Sequence, residues 1–412
     1  VQASGTLNNG MKWVLDGDTG ILTVSGTGAM PNWGSLDAPW YPYAESIRGA
    51  VLTEGITSVG DSAFHRCKNM TSVQLPSTLT RIGEYGFDNC RSLKQIELPE
   101  GLRTIDAHAF SECTALKEIV IPSTVTSFGS SVFSNCYYLT KVTFAEGMRS
   151  IPSSMFFNSD SLKSVVFPST LTEIGNTAFR MCDALTEVTL PASLVRLGTA
   201  AFADCTKLKN IYVEDGNTNF MSKNGVLFSK DGKTLWCFPA ARTGTYTIPD
   251  GTVTIANAAF GSARISNVIF PDSVKTIDTY GFARSWLREV VVGEGVEYVG
   301  DTAFGLCDYL TKVTFGKALR EIDSAFSYYR GSVLREVVFT GDAPRFDSYT
   351  FYTTTVTAYY PSNNPTWTSS VRQNYRGTVT WKGMHVCAYD AVVTAPTCTE
   401  QGTETRDCSN CD

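Results

Sequence analysis

The sequence has little of what most catalytic and nucleic-acid-binding sites require. Only 18% of its 412 residues are charged, its formal net charge is −6, and it contains three histidines. A nucleic-acid surface needs clustered Lys and Arg, so the mild acidity argues against such a partner. Nucleophilic catalysis needs a base beside the nucleophile, and the G-x-S-x-G, HExxH, P-loop and Rossmann glycine motifs are missing. We therefore expect neither an enzyme nor a nucleic-acid-binding protein.

Long hydrophobic runs are also missing. None approaches the roughly 18 residues that a membrane span needs, so we expect no transmembrane segment. The chain begins at Val1 and shows no secretory signal, which suggests a trimmed or mature form and leaves secretion open. Of the histidines, His65 and His108 fall in equivalent turns of the repeat described next, where we expect both to face solvent.

What the sequence does contain is a repeat of 23 residues, clearest in LKQIELPEGLRTIDAHAFSEC, which ends at Cys113. A Phe recurs with this period at Phe64, Phe87, Phe110, Phe133, Phe156, Phe179 and Phe202. Three residues after the Phe comes a Cys, replaced once by Ser159, at Cys67, Cys90, Cys113, Cys136, Cys182 and Cys205. This period, with LxxLxL-like strands, indicates a leucine-rich repeat solenoid. The units must stack, because one unit cannot bury its own apolar face.

Each unit has the pattern of one or two short strands. Alternation places Ile96 and Leu98 inward and Glu97 outward, and Pro99 ends the strand because it has no N–H for the next ladder. Around Phe110 the sequence suggests a short helical or 3₁₀ turn. We therefore predict a mainly β solenoid of stacked parallel strands with such a turn in each repeat of 22 to 23 residues, and with a cap at each end.

The cysteine column has two interpretations. Stacked coils lie about 4.8 Å apart, which is within the Cα range of a disulfide, so disulfides between coils are one possibility. Side chains in a ladder point the same way, however, and Ser159 interrupts the series. We expect free thiols that pack as small buried groups.

The repeat divides the chain into six segments. After Phe202 the next Phe of the pattern is Phe260, 58 residues later, and the interval contains the Asn-Gly and Asp-Gly pairs of hairpin turns. The predicted segments are an N-terminal β cap (1–45), repeats of period 23 (46–211), an inserted β-hairpin segment (212–247), repeats of period 22 (248–345), a C-terminal cap (346–384) and a Cys-containing partial module (385–412).

The unit LKQIELPEGLRTIDAHAFSEC resembles the BspA-like class of bacterial leucine-rich repeats, whose pattern is LxxIxLPxxLxxIGxxAFxxC. Residues 46 to about 340 match it, including an insertion that carries Gly225-Val226-Leu227-Phe228. The resemblance implies an extracellular or surface-exposed bacterial protein. Several members of the class are implicated in adhesion to host proteins, but its functions are mixed.

One outward strand position recurs as a column that reads Gln74, Glu97, Val120, Thr143, Val166, Thr189, Tyr212, Ile269, Val291, Thr314 and Val338. Its apolar members are our candidate ligand-binding residues on the expected concave face: Val120, Val166, Tyr212, Ile269, Val291 and Val338. Beside them lie charged residues, namely Lys94, Lys117, Lys163, Lys209, Glu118, Glu187, Glu289 and Glu336. An exposed sheet favours β-branched residues in any case. A hydrophobic strip with flanking charge is nevertheless typical of a protein-binding surface.

We therefore expect recognition of, or adhesion to, a protein or glycan of a host or neighbouring cell, by a protein that is a monomer. The alternative is a structural stalk that positions other modules and binds nothing.

The C-terminal tail contains a candidate metal site. Cys408 and Cys411 have the CxxC spacing of a zinc knuckle, and His385 and Cys398 could complete four ligands, with Cys387 as a substitute. Such a zinc would be structural, and we expect no other cofactor. Two disulfides, or a linker without fixed structure, are the alternatives.

Overall fold

The computed structural model describes residues 2–327 and 332–384 with their side chains, and residues 389–394 and 403–408 as backbone strands. The described chain winds through about 14 stacked coils with almost no helix, which confirms the predicted solenoid. The one helix among the described residues is a 3₁₀ helix, Tyr41–Ser46. No helix of the described residues has the length and apolar character needed to span a membrane.

One side of the coils is a wall of strands that are mostly four or more residues long, the long-strand wall. Strands of neighbouring coils are parallel where they pair, and the register advances by one repeat, as in Glu118 opposite Lys141. Along each strand, buried and exposed residues alternate because successive side chains point to opposite faces. The wall comprises Ile21–Ser25, Gly49–Leu52, Ser72–Gln74, Glu118–Ile121, Lys141–Phe144, Glu187–Leu190, Asn210–Val213, Gly244–Thr247, Ile265–Ile269, Glu289–Val291, Lys312–Phe315, Glu336–Phe339, Thr355–Pro361 and Thr378–Met384.

A second side is the short-strand wall, in which most coils contribute two residues. The second residue is usually a buried aliphatic side chain, such as Ile82 or Ile105. The strands are Gly28–Ala29, Ile56–Val59, Arg81–Ile82, Thr104–Ile105, Ser127–Phe128, Ser150–Ile151, Glu173–Ile174, Arg196–Leu197, Thr234–Cys237, Thr254–Ile255, Thr276–Ile277, Tyr298–Val299, Glu321–Ile322 and Arg345–Phe346.

The third side, the turn face, consists of linked turns where a helical turn was expected. In one coil the N–H groups of Tyr85, Phe87 and Asn89 donate to carbonyls of the next coil over 2.8 to 3.1 Å. The φ angles of Tyr85 and Asn89 are +55° and +60°, and the same two positions are left-handed in most coils. A helix needs negative φ at every residue, so two left-handed residues four positions apart exclude a helix here. They also orient alternate N–H groups toward the neighbouring coil.

The phenylalanine column forms the centre of the core. From Phe64 to Phe202, neighbouring rings lie 5.1 to 5.7 Å apart, with interplanar angles of 5° to 17°. Trp40 stacks on Phe64 at 5.8 Å and is fully buried, and its indole N–H donates to the Ala63 carbonyl over 2.7 Å. The aromatic residues of the N-terminal segment therefore cover the first open coil.

The eight cysteines that the structure describes are all free thiols, as expected. The thiols of Cys90, Cys113, Cys136, Cys182 and Cys205 each donate to the carbonyl of the Phe one coil back, as from Cys113 to Phe87 over 3.2 Å. Ser159 makes the same bond to Phe133 over 3.3 Å, which explains why serine can occupy this position. Burial raises the pKa of the Cys136 thiol to about 12.

An antiparallel meander interrupts the array after Val213. Phe220–Lys223 pairs with Val226–Ser229, which in turn pairs with Thr234–Cys237. That last strand is parallel to Thr254–Ile255, so it belongs to the short-strand wall. Phe238 then stacks on Phe260 at 4.8 Å and continues the aromatic column.

At the N-terminal end, Ala3–Thr6 and Lys12–Leu15 form an antiparallel extension of the long-strand wall through Ile21–Ser25. At the other end Trp367 is buried against Phe339 at 5.1 Å. Beyond the array, strands Tyr389–Thr394 and Thr403–Cys408 pair antiparallel.

Candidate binding surfaces

The apolar column predicted from the sequence lies on the solvent side of the long-strand wall. Its members are in register: Val120 lies opposite Thr143, which bridges to Val166. The exposed fractions of Val120, Val166 and Val291 are 63%, 80% and 67%, whereas Val338 is half-buried. Tyr212 and Ile269 are exposed as well. The six residues therefore share one surface, and their role in binding a ligand stays a prediction.

Two rows of polar side chains run beside the apolar column. In the nearer, mixed row, Glu118 lies opposite Lys141, and the Lys312 ammonium is 3.2 Å from the Glu336 carboxylate. The farther row, here called the basic row, contains exposed Lys94, Lys117, Lys163 and Lys209. In the described part of the chain, none of these four lysines forms an ion pair. Across its width the wall thus changes from apolar to mixed to basic.

Sequence reasoning missed a cleft of about 640 Å³ on the turn face, here called the turn-face cleft. It crosses the coils of Phe282, Phe304, Phe326 and Phe351, and Arg180 of the Phe179 coil reaches one end of it. Its lining residues are Arg180, Tyr280, Arg284, Asp301, Thr302, Leu306, Ser324, Ser327, Tyr349 and Tyr352. Tyrosines two residues before the Phe were a visible signal, but only the linked-turn geometry shows that this position faces outward.

A buried carboxylate organises one end of the turn-face cleft. Asp204 is 5% exposed and accepts hydrogen bonds from the Ser262 hydroxyl at 2.6 Å and from the Arg180 guanidinium at 2.9 Å. The Arg284 guanidinium lies 3.6 Å from the same carboxylate. Ser262 is 58 residues from Asp204, so this network spans the point at which the inserted meander interrupts the array.

A second cleft, of about 400 Å³, opens in the short-strand wall at Phe128. Ser127–Phe128 pairs with the preceding strand but not with Ser150–Ile151. Neighbouring coils have Ile105 and Ile151 at this position, and the larger ring of Phe128 is only partly buried. The cleft is therefore explained by the size of one core side chain.

The expectation that both histidines of the repeat face solvent is wrong for His65. Its side chain is 10% exposed, and its Nδ1 lies 2.9 Å from the Asp88 carboxylate. His108 is half-buried and stacks on Tyr85 at 4.9 Å. Each histidine thus contacts a side chain of a neighbouring coil, which a single repeat does not show.

The predicted zinc site falls outside the described side chains. His385, Cys387, Cys398 and Cys411 are not among the described residues, and Cys408 is described only as the end of a backbone strand. Among the side chains that the structure describes, no three His, Cys, Asp or Glu residues are placed to hold a metal ion. Zinc binding by the tail remains a prediction.

Comparison with known proteins gives matches to a family model and to solved structures. The model of the BspA type leucine rich repeat region matches six copies, over residues 40–163, 126–225 and 236–357. No curated protein matches the chain.

Three solved structures share the fold. A leucine-rich repeat protein from Eubacterium ventriosum is 24% identical, with a TM-score of 0.50, over 92% of this chain and 85% of that one. A leucine rich cell surface protein from Faecalibacterium prausnitzii is 22% identical, with a TM-score of 0.59, over 93% and 96%. The pneumococcal vaccine antigen PcpA is 20% identical, with a TM-score of 0.56, over 93% and 100%.

Proposed function

We propose that this chain, which belongs to the BspA type leucine-rich repeat family, is an extracellular bacterial protein that binds a partner protein through its long-strand wall. The observation that carries the proposal is the apolar column, whose members lie in register along the wall with threonines between most of them and are exposed at Val120, Val166 and Val291. One structural neighbour is named as a cell surface protein, which supports the extracellular location.

The chemistry of the wall favours a particular kind of partner. Burial of the valine and tyrosine side chains by a partner stabilises the complex by about 25 cal/mol per Å² of apolar surface removed from water. The basic row adds a preference for negative charge in the partner, because its four lysines form no ion pair within the part of the chain that the structure describes. A partner with an apolar ridge and acidic residues along one side would complement both features.

Substitution in the apolar column tests the proposal. The full chain and its Val166→Glu variant would be measured by surface plasmon resonance against a panel of purified mucosal and extracellular-matrix proteins. We expect Val166→Glu to weaken binding by about tenfold or more, because a carboxylate would be buried in an apolar contact without a partner. Its thermal unfolding should be unchanged, since Val166 points into solvent.

Val195→Glu is the matched control, because Val195 is 50% exposed but lies next to the short-strand wall. Equal loss of binding in both variants would contradict the proposal, as would full binding by Val166→Glu. Absence of binding to every protein on the panel would favour the stalk.

A further inference from the structure

We propose that the turn-face cleft is a second binding site and that its ligand is a neutral oligosaccharide. The site lies on a different side of the coils from the long-strand wall and does not depend on the protein-binding proposal. Its volume of about 640 Å³ is typical of small-ligand sites. It crosses four coils at about 4.8 Å per step, or about 14 Å, which suits a short oligosaccharide better than a single sugar.

Tyr280 provides an open aromatic surface in the cleft. Its side chain is exposed, and among the described residues no other ring packs against it. Tyr349, by contrast, has the Arg376 guanidinium 4.3 Å from its ring centre and Tyr352 at 5.6 Å in a T-shaped contact. The C–H face of a pyranose is apolar and slightly positive, so it stacks on the negative face of a tyrosine ring. Tyr280 is therefore the stacking platform.

Charged groups near this platform are placed to bind sugar hydroxyls. Asp301 is exposed, and its Oδ1 accepts a hydrogen bond from the Thr302 hydroxyl at 3.1 Å, which fixes the orientation of the carboxylate. Arg284 is oriented by the buried Asp204. A carboxylate accepts from two hydroxyls and a guanidinium donates to two oxygens, so together they can read a pair of adjacent hydroxyl groups.

The balance of charge favours a neutral ligand. Arg180 and Arg284 contribute two positive charges at this end of the cleft, and Asp204 and Asp301 contribute two negative charges. Because the carboxylates of Asp204 and Asp301 together balance the two guanidinium groups, little net positive charge remains to attract a sulfated or sialylated chain. An acidic oligosaccharide would also meet the exposed Asp301 carboxylate.

A glycan array that carries neutral, sulfated and sialylated oligosaccharides tests the inference with the full chain. We expect saturable binding to neutral oligosaccharides. For the best of them, titration calorimetry should show binding weakened by about tenfold or more in Tyr280→Ala, since removal of a central aromatic contact typically has an effect of this size. Asp301→Asn should also weaken binding, because the amide accepts fewer hydroxyl hydrogen bonds.

Tyr138→Ala is the matched control, because Tyr138 is exposed and lies outside the cleft. It should bind the oligosaccharide as the unchanged chain does, and so should Val166→Glu. Binding only to acidic glycans, no binding to neutral ones, or binding unaffected by Tyr280→Ala would overturn the inference. None of these results would affect the protein-binding proposal, which Val166→Glu tests separately.

Discussion

In five of the regular coils the cysteine is a hydrogen-bond donor as well as a packing group. Its thiol lies 3.1 to 3.3 Å from a carbonyl one coil back, in Cys90, Cys113, Cys136, Cys182 and Cys205. The sequence predicted burial and free thiols correctly. It did not reveal the bond, because the acceptor is a backbone atom 26 residues away that no side-chain pattern marks.

The buried thiols make stability depend on pH in the alkaline range. The pKa of Cys136 is about 12 in the folded chain, against an ordinary value of 9.0. Below pH 9 both states keep the proton. Between pH 9 and 12 the unfolded chain loses it and the folded chain does not, so the free energy of unfolding falls by about 1.4 kcal/mol per pH unit for this thiol.

Cys136→Ser should remove that contribution while keeping the hydrogen bond, as Ser159 does naturally. Urea unfolding at pH 8, 9, 10 and 11 should therefore show a shallower loss of stability in the variant than in the unchanged chain, and no difference in slope below pH 9. Parallel curves over the whole range would contradict this account of the thiol.

At the scale of the element, the turn face explains why a helical turn was predicted and turns were found. A sequence such as Ala109-Phe110 suits a helical turn locally. The stacked coils instead satisfy alternate N–H groups from the neighbouring coil, which requires left-handed residues at His108 and Glu112. The bonds between coils outweigh the local preference, and they exist only once the repeats stack.

Glycine substitution tests this backbone geometry. Ala200 has a φ of +55°, which costs an L-residue roughly 1–2 kcal/mol, whereas Ala201 does not lie in that region. Ala200→Gly should leave the free energy of unfolding unchanged or raise it by up to about 1 kcal/mol, because relief of strain offsets the entropy that glycine loses. Ala201→Gly should lower it by about 1 kcal/mol. Equal destabilisation in urea unfolding would contradict the left-handed assignment.

At the scale of the whole molecule, the repeat period determines which residues share a surface. The apolar column and the basic row could be predicted because a repeat spacing of 23 residues, and of 22 to 24 after the insertion, places equivalent positions in line along the coils. The turn-face cleft could not, because Arg284 is oriented by Asp204, 80 residues earlier, across an insertion of irregular length. Surfaces formed by regular repeats can thus be predicted from the sequence, whereas a site formed across an interruption is found only in the structure.

The central claim is that equivalent residues advance along the array by one strand spacing per repeat. Pulsed electron paramagnetic resonance tests it with spin labels on cysteines introduced at pairs of exposed basic-row positions, Lys94 with Lys163 and Lys94 with Lys209. The tail cysteines would be replaced by serine, and the described native thiols are buried from the label. Three coil intervals predict about 14 Å and five predict about 24 Å, so the second pair should be longer by about 10 Å. Equal distances, or a shorter second distance, would contradict the stacked-coil account.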